Sequence, residues 1–231
     1  MRLGEDGPVT DRVVDLNVDC GEGYDDEALL RVVTSANVAC GGHAGDPDSL
    51  LPVVAIAAER GVAVGAQVSY VDREGFGRRA LDVDPPLLRA QVLWQAGALD
   101  ALCRGVGARM RYVKPHGALY HRVLTGDAQA EAVVDAVRVL ELPLLLMPGT
   151  RYASVAEGFA DRAYDGDRLR PRDHPGAVHD DPAAAAAQAV ALARAGLRSI
   201  CVHGDSPGAL ETATAVRAAL EGAGWTVAPF A

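Results

Sequence analysis

Short apolar runs recur along the chain, each followed by a polar segment and then by a longer stretch in which Ala, Leu and Val recur at helical spacing. Short aliphatic runs bounded by turn residues read as buried strands, and longer periodic stretches read as helices. On that basis strands are expected at residues 13–17, 36–40, 62–66, 111–114, 142–147, 159–164, 199–202 and 225–228. Helices are expected at 25–33, 48–60, 85–105, 128–140, 151–158, 182–195 and 209–221. Local punctuation agrees with these bounds: Asp25 stands where an N-cap belongs, Gly61 and Gly196 follow helices, and a proline pair opens the helix at Pro85. The alternation has no break in composition, so one domain is expected over 13–231 after a disordered lead-in over 1–12. Strands alternating with helices point to an α/β fold with a parallel sheet, closed into a barrel rather than opened into a doubly wound sheet. The longest irregular segment, 165–181, is expected to be a lid or a subunit contact.

Composition narrows the function classes. The 231 residues are 49% hydrophobic but only 5% aromatic, so aliphatic side chains must fill the core. The net charge is −9 and no basic stripe occurs, so no nucleic-acid partner is expected. No apolar run reaches membrane length, so no membrane partner is expected. The four cysteines form no CxxC pair and the first residues are polar rather than signal-like, which together predict a reduced, cytoplasmic protein. No GxGxxG turn follows a strand and no Walker A loop occurs, so a nucleotide site within this chain is not evident. Of the 22 basic residues only Lys114 is a lysine. A compact ammonium with a tunable pKa differs from a guanidinium, which marks Lys114 as a place where arginine would not serve.

Reactive side chains follow the expected strands. Asn17, Asp19 and Glu22 come after the first, His43 and Asp46 after the second, and Gln67 and Ser69 after the third. Lys114 and His116 come after the fourth, and His203 and Asp205 after the strand at 199–202. In a β/α barrel these loops converge on one mouth, where chemistry is done. Each residue alone has a plain structural role open to it, such as helix capping for Asp19 and Glu22 or a turn for His203 and Asp205. Their joint placement is what argues for a site. Lys114, in a pocket, would supply charge to a carboxylate or a developing oxyanion.

Six segments in this order, DLNVDCGE (15–22), SANVACGGHAGD (35–46), DREGFGRR (72–79), VKPHGALY (113–120), FADRAY (159–164) and CVHGD (201–205), resemble the LamB/YcsF family from about Val14 to the C-terminus. That resemblance implies a distorted seven-stranded β/α barrel similar to the glycoside hydrolase/deacetylase superfamily. It also implies the A subunit of an ATP-dependent 5-oxoprolinase, which opens the 5-oxo-L-proline lactam to L-glutamate with subunits B and C and with ATP as co-substrate. By matched position, Asp19, His43, Lys114, His116, His203 and Asp205 carry over as catalytic candidates, and Asn17, Glu22, Asp46, Gln67 and Arg78 as substrate-binding ones. Asp19 or Asp205 would activate water, with His43 or His203 relaying protons.

Three departures from the family pattern matter. The family's His-Pro-Ser is Gln67-Val68-Ser69 here, and a Gln amide is neither a general base nor a good metal ligand. In related deacetylase barrels an Asp and two His bind a metal; the divalent metal is left open here, with Asp19 and His43 its ligands if it binds. Gly42 replaces a family Phe and is expected to remove apolar wall from the pocket, and the stretch 181–200 is shorter than in the family. The alternatives are a stand-alone metal-dependent deacetylase-like amide hydrolase and a non-catalytic substrate-binding subunit. Self-association into a homo-oligomer is left open.

Overall fold

The computed structural model describes residues 12–172, 174–206 and 208–231, so all but Arg12 of the expected lead-in lies outside the described residues. Ten strands are described: β1 (Val13–Cys20), β2 (Ser35–Ala39), β3 (Ala63–Val68), β4 (Met110–Pro115), β5 (Leu145–Leu146), β6 (Val155–Phe159), β7 (Tyr164–Asp165), β8 (Arg168–Leu169), β9 (Ser199–Val202) and β10 (Thr226–Val227). The helices are α1 (Asp26–Leu29), α2 (Pro47–Arg60), α3 (Pro85–Gly105), α4 (Gly117–Thr125), α5 (Ala128–Leu140), α6 (Pro182–Arg194) and α7 (Ala209–Gly222).

The strands form a parallel sheet in the order β4-β3-β2-β1-β9-β6-β5. A single parallel bridge between Val113 and Leu144, with the Val113 N–H donating to the Pro143 carbonyl at 3.0 Å, brings β5 back to β4 and nearly closes the ring. The result is the seven-stranded barrel that the family resemblance implied. Parallel strands in such a ring have both faces covered. Outward residues such as Leu16, Val18, Val38, Val64, Ile200 and Val202 join one apolar core with the helices. A smaller apolar plug of Ala63, Tyr112, Leu145 and Val155, with Phe230 against it, closes the barrel interior at its base.

Helix ends follow their local chemistry. Asp46 and Ser49 form a reciprocal capping box at the start of α2, and Gly61 ends that helix in the left-handed conformation at φ 70°. Asp127 and Asp181 cap α5 and α6 by accepting first-turn N–H groups. The expected bounds of α3 and α5 match the structure.

Elsewhere the sequence misleads. Residues 151–158 were expected to be helical, but 151–154 form a turn and β6 follows. Ser154 accepts the Leu144 N–H and donates its own N–H to the Leu144 carbonyl, and the next five residues complete the sheet between β5 and β9. Sheet pairing overrides local propensity here. Of the strand expected at 159–164, only Phe159 belongs to β6 and Tyr164 to the hairpin strand β7. The helix expected at 25–33 shrinks to α1: Asp25 makes no side-chain cap, the Asp26 carboxylate accepts the Gly21 N–H, and Arg31 and Val32 bond three residues back in tight turns rather than continuing the helix. The helix α4 falls where only a loop was expected, and it carries His121 near its centre.

The described residues of the segment 165–181 are tied to the barrel. The β7–β8 pair forms a small hairpin, and the Arg162 guanidinium ties the segment down by donating to the Ala177 and Arg170 carbonyls.

Gly65 on β3 lies flat against the Tyr112 ring, where a Cβ would meet ring carbons at 2.2 Å. Overpacking at this buried point is expected to cost Gly65→Ala about 1–3 kcal/mol or more. Urea denaturation of the variant is the check, and an unchanged midpoint would contradict the packing described.

Candidate active site

The barrel interior is polar above its apolar plug, and strict alternation within the strands makes it so. Along β1 the side chains of Asp15, Asn17 and Asp19 meet partners across the barrel, while Leu16, Val18 and Cys20 pack outward. Asp15 accepts from the hydroxyls of Thr34 and Ser35 and from Ser199, and burial outweighs these bonds to push its carboxyl up to about 6. Asn17 donates to the Ser199 hydroxyl at 2.7 Å and accepts from Asn37 and Lys114. Tyr112 donates to Asn37 at 2.7 Å. These side chains bond to one another across the barrel, which is what permits buried polar groups to persist, while Glu157 relies on its ion pair with Lys114.

Lys114 is the centre of this interior. It is 2% exposed. Its ammonium lies 3.0 Å from Glu157 and 3.5 Å from Asp19, and donates to Asn17 at 3.1 Å and to the Cys201 sulfur at 3.2 Å. The Phe159 ring lies beneath it at 5.2 Å. Burial alone would lower its pKa, but the Cys201 sulfur and the carboxylates of Glu157 and Asp19 outweigh burial and hold it well above the usual lysine value. Conversely, burial would raise Asp19, but Lys114 and then His203 and His116 hold it far below the usual carboxylate range. A guanidinium could not replace so compact a charge among these acceptors.

Above this layer Glu22, His43 and His116 come together. The two imidazoles stack with centroids 3.7 Å apart, and the Phe76 ring packs edge-on against both. His116 Nε2 lies 3.0 Å from the Phe76 carbonyl, which can only accept, so Nδ1 carries the lone pair. That lone pair faces Glu22 at 3.6 Å and accepts from the Gln67 amide at 3.1 Å. The Ser69 hydroxyl donates to the Tyr70 carbonyl, so His43 Nδ1 donates to Ser69 and Nε2 turns its lone pair to Glu22 at 3.0 Å. Burial, with Asp19 nearby, pushes Glu22 up to about 8, and burial pushes His43 and His116 down to about 4. Phe76 itself adopts a left-handed backbone at φ 52°, a strained conformation for a bulky residue that aims its carbonyl at His116.

These three side chains offer ligand atoms within 4.8 Å of one another. Two imidazole lone pairs fixed by outer hydrogen bonds and one carboxylate are a donor set that suits a divalent cation. A cation there and the Gln67 bond to His116 exclude one another. The expected metal pair is therefore corrected: His43 belongs to the cluster, Glu22 and His116 complete it, and Asp19 pairs with Lys114 instead.

On the opposite wall, His203 Nδ1 lies 3.0 Å from the Asp161 carboxylate, which also accepts the His203 backbone N–H at 2.9 Å. The Phe159 ring stacks on the imidazole. Burial would lower the His203 pKa, but Asp161 more than offsets it and raises the value. Nδ1 is committed to Asp161, leaving Nε2 as the nitrogen free for chemistry. Asp205 accepts from Arg172 with both oxygens at 2.9 Å and from Arg78 at 2.6 Å. These arginines hold its carboxyl below the usual range against burial.

A cavity of about 660 Å³ opens between the two walls. Of the residues singled out in the sequence, Asp19, Glu22, Gln67, Arg78, Lys114, His116, His203 and Asp205 line it. Others do not. Asp46 is an exposed helix cap, and Asn17 lies in the bonded layer below the cavity, so neither has a substrate-binding position. His43 stands behind Glu22 and His116. Gly42 opens no wall: a Cβ there would meet Ser69 Oγ and Gln95 Oε1 at 2.4 Å, so glycine is required by close packing. Glu157, Asp161 and Arg172 were missed. Asp161 lay within a motif already singled out, FADRAY, but Glu157 fell in a stretch read as helix.

Comparison with known proteins agrees with this fold. The LamB/YcsF family pattern matches residues 14–231. The chain belongs to the LamB/YcsF family. It is 51% identical to the A subunit of 5-oxoprolinase from Streptomyces avermitilis, over 95% of this chain and 100% of that one. It is 50% identical to the protein of the same name from Mycobacterium avium, over 94% and 98%. A lactam utilization protein from Thermus thermophilus superposes with a TM-score of 0.87 at 39% identity, covering 94% of this chain and 99% of that one. The catalytic domain of a peptidoglycan N-acetylglucosamine deacetylase from Eubacterium rectale shares the fold, with a TM-score of 0.63 at 12% identity over 99% and 93%. The first alignment spans 250 positions against 231 residues here, so this LamB/YcsF member lacks some of its relative's length. No helix among the described residues is long and apolar enough to cross a membrane.

Removing the lysine from this family member leaves two buried carboxylates without their cation. Lys114→Met is expected to destabilise the fold by about 3–5 kcal/mol, and adding Glu157→Gln to recover part of that loss. Chemical denaturation of the single and double variants is the check; a single variant as stable as wild type would contradict the buried ion cluster.

Proposed function

We propose that this chain is the ring-opening component of an ATP-dependent 5-oxoprolinase, working with subunits B and C, with ATP as co-substrate of the assembled complex. The observation that carries the reading is the His203–Asp161 pair, set across one cavity from Glu22, His116 and Gln67. Identity of about one half to proteins named as the A subunit of 5-oxoprolinase supports a lactam ligand and a multi-subunit assembly. Coupling ATP to the reaction in the partner subunits accords with a chain that carries no phosphate-binding loop motif.

A γ-lactam offers one N–H donor and one carbonyl acceptor. Gln67 lines the cavity, its Nε2 steadies His116, and its buried Oε1 has no hydrogen-bond partner, which leaves that oxygen to accept the lactam N–H once the amide turns toward the ligand. His203 Nε2 takes a proton from the attacking water, and Asp161 stabilises the imidazolium that forms. As the ring C–N bond breaks, the same imidazolium returns that proton to the departing nitrogen, giving an open chain with an amine and a new carboxylic acid, whose proton passes to the amine to leave an ammonium and a carboxylate. Asp19 and Asp205 are both held strongly anionic by cations and make poor bases; they position Lys114 and the arginines. A divalent cation held by Glu22, His43 and His116 would take the place of the Gln67 bond to His116 and would supply Lewis-acid polarisation of the amide carbonyl instead. That cluster also supports a second reading, ATP-independent amide hydrolysis by this chain alone, which chelation would abolish.

The test is glutamate formation from 5-oxoproline and ATP by the chain reconstituted with subunits B and C. No product from the wild-type complex would defeat the reading, and equal turnover without ATP would favour the alternative. His203→Asn is expected to lower kcat by about 100-fold or more with the fold retained. His203 must be neutral to accept a proton, so the acid limb of kcat/KM should lie above the ordinary histidine value of about 6.5. Asp161→Asn removes the charge that raises it, so the limb should move to lower pH. A limb unmoved in that variant would exclude His203 as the base.

A further inference from the structure

Lys114 was expected to receive an anionic group of the ligand, but its ammonium is engaged by Glu157, Asn17, Cys201 and Asp19 within the barrel. The free positive charge of the cavity lies elsewhere, at its mouth. Arg78, Arg162, Arg170 and Arg172 all line the opening, in a chain whose net charge is −9. Their carboxylate partners are few. Asp165 takes Arg170, and Asp205 alone serves both Arg78 and Arg172. Arg162 is 7% exposed and bonds only to backbone carbonyls. Four guanidiniums therefore share Asp165 and Asp205, while Asp161, whose charge also reaches Arg162, is committed to His203, which leaves an excess of positive charge at the mouth.

We propose that Arg78, Arg162 and Arg172 form a binding site for a phosphoryl-type dianion carried by the ligand at the cavity mouth. The geometry suits a tetrahedral oxyanion better than a second side-chain carboxylate. Guanidiniums from three segments, the loop after β3, the turn after β6 and the segment after β8, converge on one opening. Bidentate guanidinium contacts are the strong mode of phosphate recognition. The excess charge matches a dianion rather than a monoanion. Burial and the neighbouring Arg172 and Arg78 lower the pKa of Arg162 by more than Asp161 raises it, as expected where cations crowd together. Asp205, clamped by two of the three arginines, acts as an internal stand-in for the anion, and the incoming group displaces it.

The inference rests on the ring-opening reading only for the identity of the carrier. A lactam activated as an O-phosphoryl derivative would present its phosphoryl group here, next to the base. Class of reaction then follows: a phosphoryl transfer from a nucleoside triphosphate must supply this ligand, which accords with ATP use in partner subunits.

Calorimetric titration of the full chain with inorganic phosphate at low salt tests the site without any turnover. Wild type should bind phosphate. Arg172→Gln should weaken binding by about ten-fold. Asp205→Asn removes the competing carboxylate and should tighten binding several-fold, a gain that misfolding cannot produce. Arg122→Gln, whose guanidinium is held by Asp127 at 2.6 Å further along the same cavity, should leave binding unchanged. No phosphate binding by wild type, binding indifferent to Arg172 and Asp205, or acetate binding as tight as phosphate would each overturn the proposal. Phosphate binding in a complex that forms no glutamate would sink the ring-opening reading and leave the site standing; glutamate formation without phosphate binding would do the reverse.

Discussion

An ammonium group inside a barrel is tolerable only if its charge is answered on the spot. Desolvation of a lysine and two carboxylates costs several kcal/mol per ion, and the pairing returns that energy only when geometry is close and every remaining donor is used. Lys114 meets that condition: one carboxylate at 3.0 Å, another at 3.5 Å, and an amide oxygen and a sulfur for its other N–H bonds. Those partners come from β1, β6 and β9, which are far apart in sequence and adjacent in the sheet. The ring must therefore be assembled before the charge is satisfied. The same cluster keeps Asp19 ionised at the cavity floor, and Asp19 in turn biases His116, Glu22 and His203. The electrostatics of the site are thus set from below.

The two walls above that floor have opposite characters. One holds a neutral cluster, in which a carboxyl pushed up to about 8 faces two imidazole lone pairs. The other holds an imidazole raised by its own carboxylate. Environments that push neighbouring titratable groups in opposite directions are how acid and base roles are separated at one pH. The loop 72–79 and the segment after β6 close the two walls, the first by seating Phe76 and Gly77 over the stacked histidines, the second through the Arg162 anchor.

Much of this was legible from the chain. Helices with proline starts and glycine stops fell where expected, and loops after β1, β2, β4 and β9 did converge. What the sequence hid follows from three physical causes. Residues 151–158 have helical composition, yet the gap between β5 and β9 demands a strand, and Glu157 was lost with that misreading. Asp46 looks like a site residue because it ends a site motif, whereas helix capping accounts for it fully. Gly42 looked like a missing wall, and only the packing of Ser69 and Gln95 shows that a side chain has no room there. The polar interior was signalled by the alternation Asp15-Leu16-Asn17-Val18-Asp19, but a strand buried on both faces is usually apolar throughout, which masks such a pattern.

Because Lys114 is the chain's single lysine, selective isotope labelling of lysine gives one side-chain resonance to follow. An NMR pH titration of that signal measures the central claim directly. The account predicts an ammonium that stays protonated well beyond the usual lysine range for as long as the protein is folded. A resonance that titrates at or below the ordinary value of about 10.4 in the folded protein would contradict it.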